Sequence, residues 1–105
     1  MTSSENVTVH DNPAEHRFEV HVDGELAGYA EYERSTSTMV LTHTVVEDAY
    51  EGRGLAGQLA ASAFAEASDA GLQVLPRCPY MAKYVAKHPA LLDLVPEDRR
   101  AEFGL

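Results

Sequence analysis

The chain has 105 residues, a length that indicates a single domain with one modest core. Its 17 acidic and 8 basic side chains give a formal net charge of −9, so neither nucleic acid nor an anionic membrane is expected as a partner. Cys78 is the single cysteine, which excludes an intramolecular disulfide and fits a reducing compartment. The sequence begins without the features of a signal peptide and has no apolar run near the roughly 20 residues of a membrane span, so a soluble cytoplasmic protein is expected.

The first half of the chain carries the pattern of an antiparallel sheet. Residues 1–6 are small and polar and are expected to be disordered. A short strand is predicted over 7–10, and alternating polar and apolar residues predict a half-buried strand from Arg17. Asp23-Gly24 then predicts a hairpin, and the return strand is expected over 25–33. The residues of this strand expected to face the core are Leu26, Gly28, Ala30 and Tyr32.

The second half carries a different pattern, in which strands alternate with helices. A strand is predicted over 38–46, with Met39, Leu41, His43 and Val45 on one face. A helix is predicted from about residue 53 or 54 to residue 70, ending at Gly71, with a short strand over 72–75 and a helix from Pro79 to Lys87. The helix joins two strands that are expected to lie parallel, so the fold class is α+β: an antiparallel meander with a parallel β-α-β exit.

The loop before the long helix holds three glycines within six positions, Gly52, Gly54 and Gly57. Glycines expose backbone N–H groups, and a helix N-terminus adds unpaired N–H groups and a partial positive charge, which together suit a phosphate or pyrophosphate. From the glycines alone, a tight turn that binds nothing explains the pattern equally well. Ligands of such sheets bind at the carboxyl ends of the parallel strands, where this loop, Cys78 and the start of the 79–87 helix are expected to meet. That convergence favours a binding site.

The meander, the segment VVEDAYEGRGLAG over 45–57 and the alanine-rich helix resemble motif A of the GNAT acetyltransferases, Arg/Gln-x-x-Gly-x-Gly/Ala. Gly54 and Ala56 match its last two positions, whereas Glu51 stands where Arg or Gln is expected and Arg53 is a candidate to supply the missing cation.

A later segment strengthens the resemblance. Pro76-x-Cys78-Pro79-Tyr80, followed by Tyr84 and His88-Pro89, is similar to a small, shortened GNAT-like family, the NATD1/YjdJ-type proteins, and the likeness spans roughly residues 7–95. That family lacks the paired helices that help build the acceptor site of full-size GNAT enzymes. Here too no helical pattern precedes Gly54.

The resemblance implies a single GNAT-like domain over residues 1–105 that uses acetyl-CoA to acetylate an unknown amine or protein acceptor. It implies that the pyrophosphate lies on the glycine loop and the pantetheine arm along the preceding strand. The residues so implied in acetyl-CoA binding are Thr44, Val45, Val46, Gly52, Arg53, Gly54, Leu55, Ala56 and Gly57. The alternative is a non-catalytic CoA-binding or protein-interaction module, which Glu51 and the missing acceptor-site helices favour.

Direct transfer of an acetyl group needs a base for the amine and an acid for the departing thiolate. Tyr84 is the candidate acid and His43 the candidate base, although each residue type is more often a packing residue. Cys78 follows a strand and precedes a helix N-terminus, which favours a thiolate, so it is either a nucleophile that accepts the acetyl group first or a buried small residue. The histidines at positions 10, 16 and 21 show no metal-ligand spacing, and no metal site is predicted.

Overall fold

The computed structural model describes residues 6–105, which form the predicted α+β arrangement of one sheet with helices. In chain order the strands and α-helices of this part are β1 Val7–Asn12, β2 Arg17–Val22, β3 Glu25–Arg34, β4 Thr38–Val46, α1 Leu55–Asp69, β5 Gln73–Pro76 and α2 Pro79–Lys87. The strands follow one another in the sheet in chain order. The first four are antiparallel, and β5 runs parallel to β4 after the α1 crossover, as predicted.

Backbone pairing extends beyond both ends of the N-terminal strand that the sequence predicts over 7–10. The prediction of disorder for residues 1–6 falls outside the described residues except at Asn6. The backbone N–H of Asn6 donates to Asp23 Oδ1 at 2.9 Å, and its carbonyl accepts from the Asp23 N–H at 2.9 Å. β1 also continues past His10, because its last residues pair with the start of β2, Asn12 opposite Arg17.

The predicted hairpin between β2 and β3 is confirmed. Asp23 and Gly24 have φ values of +51° and +87°, so both central residues of the turn have the positive φ of a type I′ hairpin. Aspartate tolerates this region better than most residues and glycine adopts it freely, which is why the dipeptide predicts the turn.

The predicted core face of β3 is wrong at Leu26. Val20 pairs with Gly28 and His21 with Leu26, which leaves Ala27 as an extra residue, a β-bulge. A bulge reverses the in–out alternation of the strand. Ala27 is therefore fully buried and Leu26 is 38% exposed.

A second bulge corrects the predicted face of β4. Glu31 pairs with His43 and Tyr32 with Leu41, so Thr42 is the extra residue. Met39 and Leu41 are buried as predicted, on the sheet face that packs against α1, which we call the inner face. His43 and Val45 lie on the opposite, outer face, and the side chain of His43 is 70% exposed. The expectation that His43 shares a face with Met39 and Leu41 is therefore wrong.

Helix α1 covers the inner face as its sequence predicts. Its buried residues are all apolar: Leu55, Leu59, Ala60, Ala63, Phe64 and Ala67. It ends at Gly71, whose φ of +72° lets the Leu72 N–H reach the Ala67 carbonyl at 2.8 Å. No helix in residues 6–105 is long and apolar enough to cross a membrane.

The C-terminal segment closes the end of the core. It forms 3-10 turns over Pro89–Leu94 and Glu97–Phe103, and Val95 between them is buried, as expected for a segment that caps the core. The guanidinium group of Arg100 donates to the carbonyls of Leu92 at 2.9 Å and Val95 at 3.1 Å, which ties the two turns together.

Candidate functional site

Strands β4 and β5 separate partway along β4. Their parallel pairing ends with Leu41 opposite Pro76, and the Cys78 N–H donates to the Leu41 carbonyl at 2.9 Å just beyond it. β4 nevertheless continues to Val46. Within the described residues, no strand pairs with that part of β4 on the β5 side. The bulge at Thr42 lies where the strands separate, and beyond this point Cys78, at the start of α2, lies beside β4.

The glycine loop leads from β4 into α1 in a conformation that exposes backbone N–H groups. Gly52 and Gly54 have φ values of +81° and +76°, and Gly54 is the N-cap of α1. The first helical hydrogen bond runs from the Gln58 N–H to the Gly54 carbonyl at 3.3 Å. The N–H groups of residues 55–57 therefore have no acceptor within the helix, and in the described part of the chain no side chain caps them. These donors, with the dipole of a 15-residue helix, suit an anion.

A cavity of about 340 Å³ lies against these N–H groups. Six of the nine residues predicted to bind acetyl-CoA line it: Val46, Gly52, Gly54, Leu55, Ala56 and Gly57. Tyr50, Glu51 and Tyr80 line it as well. We call this space the glycine-loop cavity. The predicted residues Thr44, Val45 and Arg53 lie outside its lining.

The rim of the glycine-loop cavity carries charges of both signs. The Arg53 guanidinium lies 5.3 Å from the centre of the Tyr50 ring, in a cation–π contact. The Tyr50 hydroxyl donates to Glu25 Oε1 at 3.1 Å, and this hydrogen bond raises the pKa of Tyr50. Glu51 is exposed and lines the cavity. Glu51, which stands where the motif has Arg or Gln, therefore lies at the site, and Arg53 is two residues away in the chain.

Cys78 lies at the point where β5 has separated from β4. It is the N-cap of α2 and is 6% exposed. Its Sγ is 3.3 Å from Oγ1 of Thr44, to which the thiol donates. The β4 bulge is the cause, because it turns Thr44 to the inner face, where Cys78 lies. Thus the structure brings together the cysteine and one of the residues predicted to line the pantetheine path.

Tyr80 is the residue that the sequence analysis missed. Its hydroxyl lies 3.7 Å from the position that a Cβ on Gly57 would take, so the phenol faces the first turn of α1 across the glycine-loop cavity. Burial, and secondly the neighbouring Tyr84, raises the pKa of Tyr80. The signal was available: Pro79 starts α2 beside the loop, which puts Tyr80 in the turn nearest to it.

Tyr84 lies one turn further along α2, in different surroundings. Its ring stacks between Phe64, at 5.9 Å between centroids, and His88, at 4.0 Å. Together these rings line a separate cavity of about 550 Å³ between α1 and the turn over Pro89–Leu94. Tyr84, the candidate acid from the sequence, therefore lies outside the lining of the glycine-loop cavity. His88 is the C-cap of α2, with Nδ1 2.8 Å from the Tyr84 carbonyl oxygen, as a structural cap would be.

His43 also lies apart from the glycine-loop cavity. Its Nδ1 is 3.3 Å from Oε1 of Glu31 on the outer face of the sheet. The neighbouring Thr44 points to the inner face, toward Cys78. The structure therefore does not bring His43 together with the cysteine.

The histidines at positions 10, 16 and 21 show no metal-ligand spacing in the sequence, but the structure brings two of them together. The rings of His10 and His21 stack on the outer face with centroids 4.9 Å apart and planes 13° from parallel. The sequence pattern did not indicate this because no register was assigned to β1, and the register alone brings the two strands' side chains into contact.

One comparison with known protein families gives a match. The model of the family Acetyltransf_CG, described as GCN5-related N-acetyl-transferase, matches residues 17–94. The match runs from the start of β2 to the end of the turn over Pro89–Leu94 and so includes the glycine loop, Cys78 and Tyr80. No curated protein matches the chain significantly.

Proposed function

The chain belongs to the GCN5-related N-acetyltransferase family, and from this premise we propose that it is an acetyl-CoA-dependent N-acetyltransferase of the small NATD1/YjdJ type. Acyl transfer to an amine is the general chemistry of the family. The observation that carries the proposal is the glycine-loop cavity: its wall holds helix N–H groups that no side chain of the described residues caps, and the point where β4 and β5 separate lies beside it.

The pyrophosphate of CoA is proposed to bind at the start of α1. The N–H groups of Leu55, Ala56 and Gly57 offer hydrogen bonds there, and Gly52 and Gly54 keep the approach free of side chains. Arg53 contributes the nearby positive charge that the motif otherwise places at position 51. A backbone site of this kind holds an anion even in a chain of net charge −9, because its donors act at hydrogen-bond range.

The pantetheine arm is proposed to follow β4 along Thr44, Val45 and Val46. An extended amide chain can pair with backbone groups that no strand occupies, as an added strand does. This path leads from the glycine-loop cavity, where Val46 is part of the wall, toward the Cys78–Thr44 contact. The thioester is therefore expected to lie near Cys78.

Tyr80 is our proposed acid for the departing CoA thiolate. It lies in the first turn of α2, two residues after Cys78, near which the thioester is expected, and a phenol is protonated at neutral pH, as a proton donor must be. Tyr84 and His43 remain hypotheses for acid and base. Their positions favour a structural role, since Tyr84 is stacked between two rings and His43 lies on the outer face.

Two routes are open for Cys78. In the covalent route its sulfur attacks the thioester carbonyl, the thiol proton passes to the departing CoA thiolate, and an amine then takes the acetyl group from the cysteine. In the direct route the amine attacks the thioester itself, and Cys78 only lines the site. The burial of Cys78 and its hydrogen bond with Thr44 suit a held thiol in either case.

The acceptor is proposed to be a cationic amine. A cavity of about 760 Å³ adjoins the glycine-loop cavity, since Val46 and Tyr50 line both. Glu25, Glu47 and Asp48 line this larger cavity and give it negative charge. Carboxylates attract an ammonium group and raise its local concentration. A protein lysine, a protein N-terminus or a polyamine meets this description.

A non-catalytic CoA-binding or protein-interaction module is the second candidate function. The Glu51 carboxylate at the glycine-loop cavity favours it, because like charge weakens pyrophosphate binding. The absence of acceptor-site helices favours it as well. In the described part of the chain no α-helix lies between β1 and β4, where full-size GNAT enzymes carry the helices that help build the acceptor site.

Calorimetric titration with CoA tests the binding proposal. Gly54→Ala places a side chain at φ +76° beside the first N–H groups of α1, and we expect CoA affinity to fall roughly tenfold as the loop shifts, a loss of about 1.4 kcal/mol. Gly24→Ala is the matched control, because Gly24 also has positive φ and no atom of residues 6–105 lies within 4 Å of its added Cβ, but it lies in the β2–β3 hairpin. Equal CoA affinity in the two variants, or no heat with the wild type, would contradict the proposal.

Isotopically labelled acetyl-CoA then distinguishes enzyme from module. Intact-mass analysis after incubation shows label on Cys78 if the covalent route operates, and label only on an added amine if transfer is direct. Cys78→Ser separates the two further, since the direct route retains turnover in that variant. Saturable CoA binding without labelled product across a panel of polyamines, lysine peptides and N-terminal peptides would favour the module.

A further inference from the structure

The outer face of the sheet carries a cluster of metal-ligating side chains that the acetyltransferase proposal does not use. It consists of His10 on β1 and Glu19 and His21 on β2, each of which offers a ligand atom within 4.8 Å of the others. Glu19 Oε1 is 3.5 Å from His10 Nε2 and 3.6 Å from His21 Nε2. The register brings them together: His10 pairs with Glu19, and His21 is the next residue of β2 on the same face.

The carboxylate of the cluster is held with one oxygen directed at the histidines. Glu19 is buried, with 6% exposure. Its Oε2 accepts hydrogen bonds from Arg17 Nε at 2.8 Å and Asn12 Nδ2 at 3.1 Å. Oε1 is therefore the oxygen left to face the two imidazoles. Metal ligands in proteins are commonly oriented by outer hydrogen bonds of this kind.

The two imidazoles present their Nε2 atoms to that oxygen. His21 Nδ1 is buried and has no hydrogen-bond partner among the described residues, so an ion from solution meets the ring at Nε2. His10 is 54% exposed and lies on the edge strand, which leaves the cluster open to solvent on one side. Donor atoms at about 2.0–2.1 Å from a tetrahedral ion lie about 3.4 Å apart, close to the two separations that Glu19 Oε1 makes here.

We propose that His10, Glu19 and His21 form a binding site for zinc, or another divalent transition-metal ion with the same ligand preference, on the outer face of β1 and β2. Two imidazole nitrogens and one carboxylate oxygen are a ligand set of zinc sites, with water in the fourth position. The chain's net charge of −9 attracts the cation. A bound ion links edge strand β1 to β2 through side chains and so stabilises the edge of the sheet.

Zinc titration of the whole protein tests the site. Calorimetry is expected to give one zinc per chain, and zinc is expected to raise the melting temperature because it binds the folded state. The imidazole proton resonances of His10 and His21 should shift together with the same stoichiometry. His10→Ala, at an exposed position of the edge strand, is expected to weaken zinc binding by on the order of a hundredfold.

His43→Ala is the matched control, because His43 lies on the same outer face and also contacts a carboxylate, Glu31, but no other histidine of residues 6–105 contacts it. It should bind zinc as the wild type does. His21→Gln is a second ligand variant that should lose binding as His10→Ala does, and the melting curve of each zinc-free variant establishes that it folds. The proposal is overturned if the wild type shows no saturable zinc binding, if His10→Ala and His43→Ala bind equally, or if zinc shifts the resonances of His43 instead.

Discussion

At the scale of single residues, position along α2 decides which tyrosine can act at the glycine-loop cavity. Tyr80 and Tyr84 are four residues apart and therefore lie on the same side of the helix. The first turn of α2 is beside the loop, so Tyr80 lines the cavity there, while Tyr84 lies between Phe64 and His88. One helical turn thus separates a residue open to a ligand from one that packs between rings.

Tyr80→Phe is expected to lower turnover with little change in CoA affinity. The substitution removes the proposed proton donor and keeps the ring, and general acid catalysis contributes typically 10²–10⁴-fold. Release of free CoA thiol with a polyamine or lysine-peptide acceptor measures the effect. Since the pKa of Tyr80 is raised, the wild type should keep its activity to a higher pH than a phenol of ordinary pKa allows.

Tyr84→Phe provides the comparison for this substitution. It also removes one hydroxyl from α2, but the residue lines the other cavity, so turnover should stay near that of the wild type. The assignment of the acid to Tyr80 fails if Tyr84→Phe is the slower variant.

At the scale of elements, two bulges decide what the strands present to the site. The bulge at Thr42 places Thr44 on the inner face with Cys78 and sends His43 to the outer face. The bulge at Ala27 exposes Leu26 at the edge of the larger, acidic cavity. Both functional surfaces therefore depend on the register between neighbouring strands.

At Gly28, β3 lies too close to β4 to leave room for a side chain, beside the proposed pantetheine path. A Cβ on Gly28 would lie 2.5 Å from the Val45 carbonyl oxygen, a backbone atom that moves only with the strand. Gly28→Ala is therefore expected to lower the free energy of unfolding by about 1–3 kcal/mol and to weaken CoA binding. Urea unfolding and CoA titration measure the two effects.

Gly57→Ala should change stability in the opposite direction. Gly57 is a helical residue whose Cβ would meet only the Tyr80 hydroxyl at 3.7 Å, an ordinary contact. Alanine should stabilise α1 by about 0.5–1 kcal/mol there.

For Gly28→Ala, by contrast, an unchanged free energy of unfolding would contradict the prediction, because it would show that β3 can move away from β4 at little cost.

At the scale of the whole molecule, polar contacts join β3 to the edge strand β1 and to helix α1. The Tyr32 hydroxyl on β3 donates to Asp11 Oδ1 on β1 at 2.6 Å, and Arg34 on β3 pairs with Glu66 on α1 at 3.0 Å. Tyr32 is buried, so its contact depends on the phenol keeping its proton.

The free energy of unfolding is expected to fall as pH rises above about 10. Burial, and secondly the hydrogen bond to Asp11, raises the pKa of Tyr32 far above its usual value. The unfolded chain therefore loses the phenol proton at a lower pH than the folded chain. The stabilisation is complete below the unfolded pKa and is lost as pH rises toward the folded one. Urea unfolding at successive pH values measures this slope.

Tyr32→Phe isolates this contribution from the other tyrosines. The variant should be less stable at neutral pH, because Asp11 loses a donor, and should lose less stability than the wild type between pH about 10 and 11. If the free energy of unfolding falls equally steeply with pH in the two proteins, groups other than Tyr32 cause the loss of stability at alkaline pH.

The elements and much of the candidate site could be predicted from local patterns. The apolar residues of α1, the hairpin at Asp23-Gly24 and the helix from Pro79 follow from spacing and turn chemistry, and the structure confirms them. Six residues of the glycine-loop cavity were named through the resemblance to motif A of the GNAT acetyltransferases, because the glycines alone fit a turn that binds nothing equally well.

The sequence by itself therefore determined the order of the elements, the face of α1 that is buried and the loop that exposes its amides, because each depends on residues within a few positions of one another. The tertiary structure alone decided the side on which His43 points, the pairing of Cys78 with Thr44, and the meeting of His10, Glu19 and His21. The physical reason is that bulges and strand register are set by how neighbouring strands share hydrogen bonds and a common core, and one residue of shift moves every following side chain to the other face.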